Sequence, residues 1–149
     1  MKIILVEDDE YKANQIEIFL KKTCNEIIIK RSFKTGMEAI SNTQCDLVLL
    51  DMTIPSFEIS ALHPSSRNRK YGGRDILNEM HRKEIQTPAI VITQYSVFGD
   101  GEKSLHELDR ELFEKYPEIY KGIVFYNASI LDWQDNLQTL IDKNIREEK

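Results

Sequence analysis

Acidic side chains in this chain stand at the ends of apolar runs, and that placement makes them candidates for chemistry. Residues 3–6 (IILV) run into Glu7, Asp8, Asp9 and Glu10, and residues 47–50 (LVLL) run into Asp51. A further run, residues 88–93 (PAIVIT), ends on a hydroxyl, Thr93. Short apolar runs of this kind read as strands buried on both faces, and a charge at such an end sits where the chain leaves the core. In an open α/β sheet that carboxyl edge is where ligands bind. With the first and third strands as neighbours, Glu7, Asp8 and Asp51 converge, and like charges that close raise one another's pKa or recruit a cation. An all-oxygen donor set suits a hard ion, Mg²⁺ rather than zinc or iron. Mg²⁺ can hold a phosphoryl group against a carboxylate, while a hydroxyl such as Thr93 bonds a phosphoryl oxygen. Asp51 is then placed to act as a nucleophile that forms an aspartyl phosphate. Asp9 and Glu10 have a plainer reading in the first turn of a helix, where an N-cap and negative charge are favourable.

Positioning these groups requires a sheet, and the rest of the chain supplies one. Apolar runs at 3–6, 27–29, 47–50, 88–93 and 123–126 alternate with segments of helical periodicity. The first helix carries Ala13, Ile16, Phe19 and Leu20, and a short second one lies around 36–41. The third carries Ile76, Leu77 and Met80, and the fourth Leu105, Leu108, Leu112 and Phe113. The fifth carries Ile130, Trp133, Leu137, Leu140 and Ile141, with Trp133 expected in the core. Five strand–helix alternations imply an α/β fold whose parallel sheet is covered by helices on both faces. Two connections are long. Residues 56–71 show no clear pattern, and residues 98–120 hold an extended acidic helix; such loops are lids, docking surfaces or tolerated insertions.

The 149 residues suit a single domain, 1–149, able to bury about 68–70% of its unfolded surface. A net charge of −5 speaks against a nucleic-acid partner, and the RNRK cluster at 67–70 reads as a solvated face. Cys24 and Cys45 form neither a disulfide framework nor a metal-binding spacing, and read as free thiols in a reducing cytoplasm. The N-terminal apolar run is too short for a signal peptide, and no run reaches membrane-span length. A cytoplasmic protein is expected. His63, His81 and His106 lack ligand-like spacing. The acids around the fourth helix (Glu102, Glu107, Asp109, Glu111 and Glu114) are expected to be solvated.

Taken in order, ILVEDD, GMEAI, LVLLDMTIP, GGRDIL and IVIT resemble the receiver domain of two-component response regulators. The resemblance is close from residue 1 to about 55, resumes at 72–77 and holds through Thr93. It implies a flavodoxin-like (βα)5 three-layer sandwich with a five-stranded parallel sheet in the order 2-1-3-4-5. It makes Asp51 the phosphoacceptor and Thr93 the switch hydroxyl. It places Mg²⁺ on Asp8 and Asp51 directly, on Glu7 through water, and on the backbone carbonyl of Thr53. It further implies a signalling protein, not an enzyme, phosphorylated by a histidine kinase or phosphotransfer protein, and a stand-alone receiver is expected because little chain follows the fifth helix. Output would pass to a protein partner through the fourth helix, fifth strand and fifth helix, with no direct nucleic-acid or membrane contact; homodimer formation stays open.

The chain departs from the family pattern at the fifth strand. Receivers carry a lysine there, usually followed by proline, and GIVFYNAS (122–129) puts Tyr126 and Asn127 at those positions. Lys121 lies a strand length from the site, at about 3.3 Å per residue, and is no substitute. Ile123 replaces the usual aromatic switch residue, and Gln94 replaces a small residue after Thr93. Losing a fixed positive charge beside a dianion costs a few kcal/mol, by analogy with removing one electrostatic stabiliser. Three readings follow. Phosphorylation persists on Mg²⁺ and Thr93; or a cation from Arg67, Arg69, Lys70, Arg74 or Lys103 replaces the lysine; or the domain is a pseudo-receiver that signals by binding alone. A haloacid-dehalogenase-like phosphatase also uses a strand-end aspartate with Mg²⁺, but its second acid lies where this chain has Thr53, and its nucleophile is generally on the first strand.

Overall fold

The computed structural model describes residues 1–56, 68–69, 72–94, 97–98 and 103–145. Five strands form the main sheet: β1 (Lys2–Val6), β2 (Glu26–Lys30), β3 (Leu47–Leu50), β4 (Ala89–Thr93) and β5 (Tyr120–Phe125). All its pairings are parallel, and the spatial order is β2-β1-β3-β4-β5. Five helices connect or follow the strands: α1 (Glu10–Leu20), α2 (Phe33–Asn42), α3 (Gly72–Arg82), α4 (Leu105–Lys115) and α5 (Asp132–Asn144). The expected three-layer α/β sandwich and its order 2-1-3-4-5 are therefore what the chain adopts.

The apolar runs are explained by burial on both faces. Successive strand residues point to opposite sides. Val48 and Leu50 thus join one core with Met37, Ile76, Leu77 and Leu108, and Leu47 and Leu49 join the other with Ile16, Leu20, Trp133 and Leu137. All four β3 residues are fully buried, each such side chain stabilising the fold by about 1.5–3 kcal/mol. Register then determines the chemistry at the edge. Val6 pairs with Leu50, and Leu50 with Val91, so Glu7 and Asp51 leave adjacent strands side by side.

Several details differ from the sequence reading. β5 begins at Tyr120 and ends at Phe125, so Tyr126 lies just beyond the strand. Ala89 pairs with Tyr120 while Ile90 pairs with Gly122, a bulge that leaves Lys121 as the extra residue. Gly122 has φ +147°, a conformation glycine tolerates best. α5 begins at Asp132, so Ile130 precedes it and is half exposed instead of lying on its apolar stripe. α4 is an ordinary 11-residue helix, not an extended one, started by a capping box between Ser104 and Glu107.

The α4 acids are not uniformly solvated either. Asp109 accepts a 2.6 Å hydrogen bond from the Tyr120 hydroxyl, and Glu111 pairs with Arg74 at 2.7 Å. Glu102 lies outside the described residues. In the 56–71 connection, Asn68–Arg69 pairs antiparallel with Ile54–Pro55, and the segments on either side of that pair, His63 included, lie outside the described residues. His106 is exposed on α4, and His81 sets its ring edge-on to Tyr116. Among the described residues, no helix is long and apolar enough to cross a membrane.

Candidate phosphoryl and metal site

Glu7, Asp8 and Asp51 offer carboxylate oxygens that all lie within 4.8 Å of one another. Backbone pairing puts them there: the Asp51 amide donates to Val6 O at 3.1 Å, and the Glu7 amide donates to Lys30 O at 2.9 Å. Glu7 is fully buried and Asp51 nearly so, whereas Asp8 is half-buried. Thr93, fully buried, ends β4, the strand paired with β3. Thr53 follows Asp51 by two residues, between buried Met52 and Ile54. That loop is held from the other side by α3, whose Gly73 amide donates to Met52 O at 3.0 Å. A Cβ on Gly73 would stand 2.6 Å from Asp51 O, so only glycine allows this approach.

One residue that sequence reasoning missed completes the cluster. The Lys12 ammonium lies 2.7 Å from Glu7 Oε1 and 3.3 Å from Asp51 Oδ1, and donates to Ile92 O at 2.9 Å. Asp9 is the N-cap of α1 and accepts from the Lys12 backbone amide at 3.0 Å. Lys12 therefore occupies the third helical position of a fixed first turn, and its side chain is 1% exposed. The signal was available: Lys12, Ile16 and Leu20 follow the i, i+4, i+8 spacing of a buried helical stripe. A lysine on that stripe must either snorkel out or find acids inside.

Tyr126 sits against the same ammonium. Its amide donates to Thr93 O at 2.7 Å, its ring is buried against Trp133, and Lys12 Nζ is 5.6 Å from the ring centroid. Of the other candidate cations, Arg74 is engaged by Glu111. Arg67 and Lys70 lie outside the described residues, as do the side chains of Arg69 and Lys103.

The electrostatics follow from burial. Desolvation pushes the Glu7 carboxyl up to about 8, with Lys12 opposing the rise and Asp51 adding to it. Desolvation also raises Asp51 against the pull of Lys12, and raises Asp8 with Asp51 adding to the effect. Burial alone would lower Lys12; Asp51 and Glu7 outweigh it and hold the ammonium above its ordinary value, hence charged. Glu7 Oε1 and Asp51 Oδ1 contact Lys12 at ion-pair distance, yet neither has an aligned hydrogen bond. Three clustered carboxyl groups against one ammonium leave spare oxygen lone pairs, a donor set that fits a hard divalent cation.

No family model matches the chain. It is 30% identical over 143 residues to the Detocs response regulatory protein DtcB of Enterobacter cloacae (strain JD6301), covering 92% of this chain and 95% of that protein. Its fold matches a Francisella response regulator receiver domain with a TM-score of 0.68 at 15% identity, over 99% of this chain and 98% of that one. It also matches the receiver domain of a sensor histidine kinase from Pseudomonas aeruginosa PAO1, a structure with a magnesium ion coordinated in its active-site cleft. That match has a TM-score of 0.66 at 17% identity, over 97% of each chain. The chain belongs to the response regulators, and its fold is that of their receiver domain. It is accordingly a component of two-component signalling.

Proposed function

We propose that this receiver is switched by phosphorylation of Asp51 in a Mg²⁺-dependent reaction with a histidine kinase or phosphotransfer protein. The observation that carries the reading is the convergence of the Glu7, Asp8 and Asp51 carboxylates within 4.8 Å at the carboxyl edge of the sheet. An Asp51 carboxylate oxygen attacks the phosphorus of a phosphohistidine; the P–O bond forms, the P–N bond breaks, and the departing imidazole takes a proton from water. Asp8, Asp51 and the Thr53 carbonyl would hold the cation directly, with Glu7 behind them. When bound, Mg²⁺ supplies charge that offsets the incoming phosphoryl oxygens. Thr93 lies at the end of β4 and supplies the hydroxyl that turns toward the modified carboxylate. Output to a protein partner runs over α4, β5 and α5, where Phe113 and Phe125 are exposed. The similarity to DtcB and the magnesium-bound receiver structure support this reading.

The test is incubation with Mg²⁺ and a small phosphodonor, with expected acid-stable, base-labile label lost in Asp51→Asn. Label that survives Asp51→Asn removes the assignment. One observation favours a second reading, a phosphorylation-independent interaction module: Lys12 already gives Asp51 and Glu7 an internal counter-charge. That reading requires no label, no Mg²⁺ affinity, and partner binding unaffected by Asp51→Asn.

A further inference from the structure

We infer that Lys12 is the phosphoryl-pairing cation of this receiver, delivered from the first turn of α1, with Tyr126 as its aromatic support. The inference rests on the phosphorylation of Asp51 proposed above and assigns the group that makes it feasible.

A phosphorylated Asp51 places a dianion in a site whose walls are already acidic, where a fixed positive charge within reach adds to what Mg²⁺ supplies. Among the described residues Lys12 is the cation that meets the acids, and its ammonium is flanked by the ends of four strands. Glu7 after β1 and Asp51 after β3 contact it, as does Ile92 O on β4. The Tyr126 ring after β5 lies at cation–π distance. An ammonium has three N–H donors. One is donated to Ile92 O, and the other two are left to the Glu7 and Asp51 carboxyls, which stand at ion-pair distances of 2.7 and 3.3 Å.

Phosphorylation of Asp51 replaces the carboxylate's own charge with phosphoryl oxygens, which come to face the N–H that had been turned toward Asp51. Lys12 then exchanges one anion for another without leaving its two other partners. Little reorganisation is needed, because the stem is packed in the core and the turn that carries it is capped by Asp9. Tyr126 occupies the position after β5 where receivers place the lysine. A lysine at 126 would compete with Lys12 for one space, whereas an aromatic ring fills that space and presents its electron-rich face to the ammonium. The two departures are thus one arrangement: the charge has moved to α1, and the ring has taken its place.

The experiment has two arms. In the first, the wild-type protein is crystallised with Mg²⁺ and beryllofluoride, a mimic of the aspartyl phosphate. Lys12 Nζ within about 3 Å of a fluorine is expected; a fluorine cluster faced by another side chain, with Lys12 still directed at Asp51 and Glu7 alone, overturns the inference. In the second, labelling by a small phosphodonor at saturating Mg²⁺ is compared for wild type, Lys12→Met, and Lys12→Met with Tyr126→Lys. Lys12→Met should label about 100-fold more slowly while binding Mg²⁺ at least as tightly, since the competing ammonium is gone. Tyr126→Lys should restore much of the rate by returning charge from the β5 side. Labelling of Lys12→Met within threefold of wild type overturns the inference while leaving Asp51 phosphorylation standing. A wild-type protein that neither labels nor binds beryllofluoride overturns the phosphorylation reading itself, and this inference with it.

Discussion

Lys12 and Tyr126 meet at the carboxyl edge of the sheet, the ammonium 5.6 Å from the ring centroid, although 113 residues separate them in the chain. Nothing local joins them. The parallel order β2-β1-β3-β4-β5 does so, because α1 starts where β1 ends and Tyr126 follows the strand paired with β4. The contact therefore exists only in the folded chain, and mutations at either end report on the same cluster.

Removing the Lys12 charge should cost stability before it affects signalling. Breaking a buried ion pair by deleting one partner leaves the other charge uncompensated, at a cost of about 3–5 kcal/mol. In chelator, Lys12→Met should show a loss of that size in urea denaturation. Saturating Mg²⁺ should then stabilise the variant more than it stabilises wild type, since the ion no longer competes with the ammonium for Glu7 and Asp51. Equal stabilisation of both proteins would show that Lys12 and the ion do not share the acids.

The cap on α1 offers a gentler test of the same geometry. Asp9→Ala deletes the acceptor for the Lys12 amide and should cost about 1 kcal/mol, within the 0.5–2 range for N-caps. Asp9→Ser should restore most of it. Asp9 is not among the three acids whose oxygens cluster, but its amide donates to Glu7 Oε2 at 3.2 Å, so a slower labelling rate in Asp9→Ala, recovered in Asp9→Ser, traces to the first turn that places Lys12 and Glu7 together.

Gly73→Ala probes the loop behind Asp51. The new methyl group would stand 2.6 Å from Asp51 O and 3.2 Å from Met52 Cα, both backbone atoms that cannot rotate aside. Overpacking of this kind costs about 1–3 kcal/mol. Because the displaced backbone carries Asp51 and Thr53, weaker Mg²⁺ binding should accompany the loss of melting temperature. An unchanged titration would mean that α3 can retreat without disturbing the loop.

Much of this was legible in the sequence because burial on both sheet faces leaves an unmistakable pattern. LVLL can be apolar throughout only where α1 and α5 cover one face and α2, α3 and α4 the other. Glu7, Asp51 and Thr93 stood out because a polar residue directly after such a run marks the sheet edge. Lys12 did not, since a lysine in a first helical turn ordinarily points to water, and only its i, i+4, i+8 relation to Ile16 and Leu20 marked it as buried. Tyr120 was equally hidden. Reading β5 from its β-branched residues missed the bulge at Lys121, and with it the start of the strand and the Tyr120–Asp109 bond.

The acid cluster should also make metal-free stability depend on pH in an unusual direction. Glu7 has an ordinary pKa of 4.5 and is pushed up to about 8 in the fold, chiefly by burial. Between those values the folded chain holds a proton that the unfolded chain has lost, so stability falls as pH rises through the window. Asp8 and Asp51 are also raised and act in the same sense. Lys12, raised above 10.5, contributes stability that is fully present below that value and lost only at higher pH, so it does not offset the decline. In chelator, the melting temperature should be highest near pH 5 and drop by several degrees toward pH 8. Glu7→Gln, which cannot titrate, should flatten much of that slope. Mg²⁺ should flatten it in wild type as well, because the deprotonated cluster is the form that binds the ion. A melting temperature that rises from pH 5 to pH 8 in chelator, in wild type and Glu7→Gln alike, would show that these carboxyls reach solvent and are not held in the core.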